Sequence, residues 1–290
     1  MRPLASKWGL FAALFALASH AAPPAPKAAP KLVTVGPAVT QTVFALGAGD
    51  RVVGVDDSSA ALPEAAKVRT VGYQRALSAE GVLSLGAGLL LGSAEAGPPA
   101  VLEQLKQTGM RVETFANEPT VEAARARIQA IAERLGTPDQ GRALVAKLDE
   151  DLAKAAGRAA SVKGTKPPRI LAVYARGAGA MMVAGTGTVA DTLIRLSGAV
   201  NAVAGLQGYK PLSSEAVVAA APDFVLLPAG SVATVGGAEG LAKQPGLSQV
   251  KGWRLVTVDD VDFMGLGPGL GRAVGRLQDG AAPAGKGGAK

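Results

Sequence analysis

Short aliphatic and β-branched runs recur along the chain, each closed by turn residues: KLVTV from Lys31, RVVGV from Arg51, GLLLGS from Gly88, RVETF from Arg111, RILAVYA from Arg169, DFVLLPA from Asp223 and WRLVTVDD from Trp253. Runs of this length and composition predict β-strands. Helical patterns alternate with them, which is the signature of an α/β protein. The pattern also repeats. LSAEGVLSLGAGLLLGS, starting at Leu77, matches LSSEAVVAAAPDFVLLPA, starting at Leu212: each has Leu-Ser, a glutamate three residues after the leucine, an apolar helix and then a strand. TVFALGAGDRVVGV from Thr42 resembles TLIRLSGAVNAVAG from Thr192 in the same way. Two lobes of similar construction follow.

One helix is expected to join them. Thr137 can cap it, Pro138 suits its first turn and Gln140 completes a capping box, while Leu144, Leu148 and Leu152 recur at i, i+4 and i+8. Five to six turns, roughly 30 Å at about 1.5 Å per residue, reach from one lobe to the other. The expected fold is α/β, with two Rossmann-like lobes at 32–136 and 164–278 joined by a long backbone helix at 137–163. It resembles the helix-linked, class III periplasmic binding proteins, whose cleft opens between the lobes.

The two ends read differently. Arg2 and Lys7 precede the apolar run GLFAALFALA and the small-residue stretch SHAAPP, the pattern of a signal peptide over 1–21, with cleavage after Ala21 and Ala22 as the next choice. Residues 22–31 and 279–290 are rich in Pro, Ala, Gly and Lys and are expected to be flexible. No second apolar run is long enough to span a bilayer, so the expectation is a soluble, exported, periplasmic monomer.

Composition narrows the chemistry. The chain has no cysteine, hence no disulfide, no thiolate metal site and no lipid attachment point at the signal junction. Its only histidine, His20, leaves with the signal. Metal chemistry in the remainder must use oxygen donors, methionine or a bound cofactor. Removing Arg2 and Lys7 from the net charge of +7 leaves +5, enough to favour anionic ligands. The basic residues are scattered and aromatics make up 4% of the chain, which argues against nucleic acid.

Several separated blocks, VGPAVTQTVFALGAGDRVVGVDDSS, VGYQRALSAEGVLSL, MMVAGTGTVADTLIRLSGAVN, GYKPLSSEAVVAAAPDFVLL and LGPGLGRAV, stand in the order found in the periplasmic haem-binding proteins of bacterial haem ABC importers. The chain resembles that family over nearly its whole length after the signal. The resemblance implies that haem b is the transported ligand. It further implies that Tyr73, in the V-G-Y-x-R-x-L-S-x-E-G segment, is the axial ligand of the iron. Phenolate is a hard anionic donor suited to ferric iron, and tyrosine is a known haem ligand. Arg75, two residues on, is placed to stabilise the phenolate.

Some relatives add a histidine from the second lobe, which this chain lacks, so five-coordinate ferric haem is expected. Met181 and Met182 suit packing on the porphyrin face better than ligation, because thioether sulfur is soft. Candidates for the propionates or the cleft wall are Ser58, Ser59, Met182, Thr186, Thr188, Tyr209 and Lys210. Where the family commonly has Gly-Pro-Arg, this chain has Gly267-Pro268-Gly269, with Arg272 as a possible substitute for the charge. Glu80 and Glu215, equivalent in the two repeats, are expected to dock on the two subunits of an ABC permease coupled to its ATPase. An outer-membrane haem receptor would act upstream.

Two rival readings stay open at this level. Cobalamin and ferric siderophores are carried by proteins of the same fold that do not need Tyr73. An exported dinucleotide-dependent oxidoreductase is suggested by GAGD, GTGT and GLGPGLG, but none of these is a G-x-G-x-x-G between a strand and a helix. A haem enzyme is disfavoured by the lack of a distal histidine.

Overall fold

The computed structural model of the chain describes residues 29–161, 166–174, 181–211 and 213–282. The first lobe contains β1 (Leu32–Val35), α1 (Pro37–Ala45), β2 (Val52–Val55), β3 (Arg69–Thr70), α2 (Ala79–Leu83), β4 (Leu89–Ser93), α3 (Pro99–Gln107) and β5 (Arg111–Phe115). Its strands form a parallel sheet in the order β3-β2-β1-β4-β5. Every residue of β1 and β4 is buried, as expected for parallel strands covered on both faces.

Next comes a helix pair, α4 (Val121–Leu135) and α5 (Pro138–Ser161). The 24 residues of α5 span about 36 Å at roughly 1.5 Å per residue. The bridge is thicker than a single helix. Ala124 and Ile128 of α4 pack into the core of the second lobe, whereas Ile131 and Ala132, one turn on, pack into that of the first. Leu144 of α5 touches both cores. The expected capping box is absent for a local reason: the Thr137 N–H donates to the Ala132 carbonyl (2.8 Å), closing the end of α4 and using the group that Gln140 would have capped.

The second lobe contains β6 (Arg169–Tyr174), β7 (Met182–Ala184), α6 (Val189–Leu196), β8 (Val200–Asn201), β9 (Tyr209–Pro211), α7 (Ser214–Ala220), β10 (Phe224–Pro228), α8 (Ser231–Thr234), α9 (Gly237–Ala242), β11 (Arg254–Val258), α10 (Asp260–Met264) and α11 (Leu270–Gly280). Its sheet runs β11-β10-β6-β7-β9, with β8 beside the start of β6. The first lobe is wholly parallel, but β7 and β9 are antiparallel additions at this edge. The repeats fall on equivalent elements: α2 and β4 answer α7 and β10, and Ser78 and Ser213 each accept a cap bond from the backbone N–H three residues on.

Buried polar contacts fasten the lobes. Gln41 of α1 donates from Nε2 to Asp262 Oδ1 of α10 (2.9 Å) and accepts at Oε1 from the Gly269 N–H (3.0 Å). Arg127, 3% exposed, donates to the Ala116 carbonyl after β5 (2.6 Å) and to the Leu266 carbonyl after α10. The Thr192 hydroxyl of α6 donates to the Pro119 carbonyl (2.6 Å).

Order extends further at both ends than composition suggests. The Pro30 carbonyl accepts from Arg51, and the Lys31 carbonyl from Gly88 and Leu89, while Asp279 at the end of α11 pairs with Arg158 (3.3 Å). The expected signal segment 1–21 and residues 283–290 lie outside the described residues. Among the described residues no helix is long and apolar enough to cross a membrane.

Candidate functional site

Loops at the carboxyl ends of β2, β3 and β4 form one wall, the usual place for a ligand on an open parallel sheet. Tyr73 is half-buried in the loop after β3. Gly72 before it adopts φ +90°, a backbone that side-chain-bearing residues rarely take, and so turns the loop out of the strand. The loop is tied on both sides. The Asp57 N–H donates to the Gly72 carbonyl (3.0 Å), Ala76 N–H to the Tyr73 carbonyl (2.8 Å), Gly97 N–H to the Gln74 carbonyl (2.9 Å) and Leu77 N–H to the Gly97 carbonyl (2.8 Å). The phenol is therefore presented from a backbone fixed to the loops after β2 and β4. Arg75 is exposed and pairs with Glu95, Nη2 to Oε1, at 3.1 Å.

Behind this wall lies a buried carboxylate. Asp56 accepts from the Gly36 N–H (2.7 Å), the Ser58 N–H (3.1 Å) and the Ser59 hydroxyl, and Ser59 Oγ lies 2.9 Å from Thr40 Oγ1. Burial pushes the Asp56 carboxyl above the ordinary carboxylate range despite these bonds. Ser59 is fully buried in this network, so its expected contact with a ligand is corrected: the hydroxyl holds the β2 loop. Ser58 remains partly exposed.

The opposite wall is the edge of the second sheet. In the antiparallel register Tyr174 pairs with Met182 and Ala184 with Tyr209, so Tyr174, Met182 and Tyr209 share one face. The Tyr174 ring lies 6.2 Å from that of Tyr209, tilted by 57°, and 6.2 Å from Phe263, stacked at 18°. Tyr209 is 41% exposed, yet its phenol is pushed up to about 12, first by desolvation and then by Tyr174 and Glu95. Glu95 belongs to the first lobe, so this contribution reaches Tyr209 from the other lobe.

The register separates other candidates. Lys210 pairs with Val183, which packs in the core beneath the sheet, so its Cβ projects from the face opposite Tyr209. Met181 packs against that same core and is not on the cleft face with Met182. Thr188 is 5% exposed; its hydroxyl accepts from the Asp191 N–H and donates to the Gly185 carbonyl, capping α6, so the expected role at a ligand carboxylate is corrected. Thr186 is half-buried and donates to the Leu206 carbonyl (2.9 Å).

Glu80 and Glu215 are exposed in the first turns of α2 and α7, and no ion pair to either occurs among the described residues. Gly269 is explained by the interlobe link: a Cβ there would stand 2.5 Å from Asp262 Oδ1 and 2.8 Å from Gln41 Nε2. Arg272 does not replace a charge in the cleft. It lines a separate groove of about 640 Å³ between α1, α5 and α11, and its charge acts on Asp262.

Glu95 and Tyr174 escaped sequence reasoning. Tyr174 carried a usable signal, an aromatic at the carboxyl end of a strand expected to be parallel. Glu95 carried none, because only folding brings the loop after β4 against Arg75. The site thus offers phenol oxygens, a guanidinium, a thioether and aromatic faces. Among the described residues no cluster of three or more His, Cys, Asp or Glu could hold a bare metal ion. The arrangement suits a large, flat, partly apolar ligand that brings its own hard metal.

Comparison with known proteins follows the same line. A family model described as periplasmic binding protein matches residues 32–254. The structure of the periplasmic heme-binding protein RhuT from Roseiflexus sp. RS-1 is 37% identical, covering 87% of this chain and 99% of that one, with a TM-score of 0.81. The periplasmic heme-binding protein BhuT in complex with two hemes is 41% identical over 87% and 99% of the two chains, with a TM-score of 0.79. An uncharacterized ABC transporter substrate-binding lipoprotein of Bacillus subtilis (strain 168), YvrC, is 26% identical over 80% of this chain and 72% of its own length.

Proposed function

The chain belongs to the periplasmic binding protein family, and from that premise we propose that it binds ferric haem between its lobes through a Tyr73 phenolate and delivers it to an ABC permease. The observation that carries this reading is the Tyr73 loop, tied by four backbone hydrogen bonds at the carboxyl edge of the first sheet. The likeness to heme-binding proteins over nearly their whole length supports it. Haem supplies the iron and the apolar disc. The chain supplies one hard anionic oxygen, with Arg75 beside it as a cation that favours the charged phenol. Tyr174, Tyr209 and Met182 offer the opposite face of the porphyrin a broad, adaptable surface. Ser58 and Thr186 serve the propionates at the rim. With no histidine beyond the signal segment and Met182 a soft donor, the iron is five-coordinate.

The role is binding and delivery, not turnover. The chain works as a monomer in the periplasm, released by cleavage after Ala21. Glu80 and Glu215 face the two subunits of the permease. Hemin titration of the purified protein tests the ligand: a Soret shift with the charge-transfer bands of tyrosinate-bound high-spin ferric haem is expected, and cobalamin or a ferric siderophore should not compete. Tyr73→Phe keeps the ring and removes the oxygen, so the tyrosinate bands should vanish while the circular dichroism stays native. Unchanged bands in that variant refute the ligand assignment.

A further inference from the structure

Asp56, directly after β2, is an acidic residue with 0% exposure that the proposed binding reaction does not touch. Burying a carboxylate costs the fold stability. Both of its oxygens nonetheless act as acceptors. Oδ1 takes the Gly36 N–H at 2.7 Å and the Ser59 hydroxyl, and Oδ2 takes the Ser58 N–H at 3.1 Å. A carboxylate accepts from all three, whereas a carboxamide must turn its own NH2 group towards one of the two backbone donors. A turn of this kind does not by itself need a charge. In the second lobe the neutral Asn201, 4% exposed, accepts from the Val203 N–H two residues on (3.1 Å) and donates to the Ala184 carbonyl (3.0 Å). The carboxylate of the first lobe has a further task.

The two backbone donors lie on two routes from Asp56 to the Tyr73 loop. The Ser58 N–H holds the start of the loop after β2, and in that loop the Asp57 N–H donates to the carbonyl of Gly72, the residue before Tyr73, at 3.0 Å. Gly36, at φ +99°, closes β1 and lies against the residue after Tyr73: a Cβ on Gly36 would stand 3.4 Å from Gln74 Oε1 and 2.9 Å from Ser93 Cβ. We infer that Asp56 is a positioning residue for the cleft: by gripping Gly36 and Ser58 at once it fixes both chain neighbours of Tyr73, and with them the place from which the phenol meets its ligand. The inference rests on the haem reading and deepens it. The remainder of the buried network runs the other way. Thr40 Oγ1 lies 2.9 Å from Ser59 Oγ and donates to Thr34 Oγ1 at 2.9 Å, which ties α1 to β1 without touching either neighbour of Tyr73. Thr34, also 0% exposed, is therefore an internal control for stability alone.

The test compares the wild type with Asp56→Asn, Ser59→Ala and Thr34→Val by hemin titration, by the tyrosinate charge-transfer bands and, without hemin, by amide hydrogen exchange at Asp57. Asp56→Asn keeps the shape and loses one backbone tie. Its hemin affinity should fall by about tenfold or more, the lower end of the range for groups that orient a metal ligand. Its bands should shift or weaken and exchange at Asp57 should quicken, while the circular dichroism stays native. Thr34→Val removes a buried hydrogen bond at the far end of the same network, so it should lower Tm and leave affinity, bands and exchange at wild-type values. Ser59→Ala removes one donor but leaves the carboxylate, and should weaken binding by less than Asp56→Asn does. If Asp56→Asn does not fold, Ser59→Ala decides, and wild-type affinity there overturns the inference. Wild-type affinity and bands in a folded Asp56→Asn overturn it alone, as does an equal loss of affinity in Asp56→Asn and Thr34→Val, which would make the network a matter of stability only. A wild type that binds no hemin, or binds it without tyrosinate bands, overturns this role together with the haem reading.

Discussion

Replacing Gln41 by leucine probes what holds the two walls of the cleft in register. Gln41 is 7% exposed and its amide makes two interlobe bonds, to Asp262 Oδ1 at 2.9 Å and from the Gly269 N–H at 3.0 Å. Asp262 is 2% exposed and its Oδ2 has no hydrogen-bond partner. Leucine fills most of the volume but leaves a buried carboxylate without its donor and an amide without its acceptor. At about 1–3 kcal/mol for each of the two unsatisfied groups, offset by about 1 kcal/mol of added apolar burial, the net loss is about 1–5 kcal/mol. For a domain of this size that lowers Tm by roughly 2–20 °C.

The deficit must depend on pH. Burial already raises the Asp262 carboxyl above its ordinary value, and the Gln41 bond opposes that rise. A carboxyl raised in the folded state costs stability as pH climbs through the interval between its unfolded and folded values. Gln41→Leu raises it further, so the deficit should be larger at neutral pH than near about pH 3, where the group is largely protonated in both states. Urea unfolding followed by Trp253 fluorescence and circular dichroism measures it. In a double-mutant cycle with Asp262→Leu, the pair should couple by about 1–3 kcal/mol, because removing the buried charge removes the need for the donor. A loss below about 0.5 kcal/mol, or an equal loss at both pH values, would refute the lock.

Arg75→Leu should weaken hemin binding and move the loss of tyrosinate ligation to higher pH, since without the cation a proton competes better with iron for the phenol oxygen; a pH profile matching wild type would leave Arg75 a surface residue. Glu80→Ala with Glu215→Ala should preserve equilibrium hemin binding and impair hemin uptake through reconstituted transporter. Each exposed pair contributes about 1 kcal/mol or less, so the single variants should be nearly silent. Normal uptake by the double variant would leave only helix-end electrostatics for these glutamates.

The alternation of strand and helix, the internal repeat and the bridging helix were legible in the sequence because each rests on local pattern: β-branched runs form strands wherever they can be covered, and leucines at i, i+4 and i+8 make one helical face. The loop bearing Tyr73 was legible only as a motif. The sequence alone determined that the chain carries no thiolate and no histidine beyond residue 20, which confines hard-metal chemistry there to oxygen donors. Tertiary structure decided the rest. Ser59 and Thr188 read as candidate ligands because a hydroxyl beside a cleft and a hydroxyl inside a cap look alike in one dimension, and burial with saturated hydrogen bonds tells them apart. Lys210 and Tyr209 are neighbours in sequence but opposed across a strand, a consequence of the two-residue period that appears once β9 is paired. The contacts of Glu95 with Arg75, and of Gln41 with Asp262 across 221 residues, depend on which loops the sheet order and the helix pair bring together. A short-range pattern cannot encode that juxtaposition, because it is fixed by how two separately wound lobes pack on the helix pair between them.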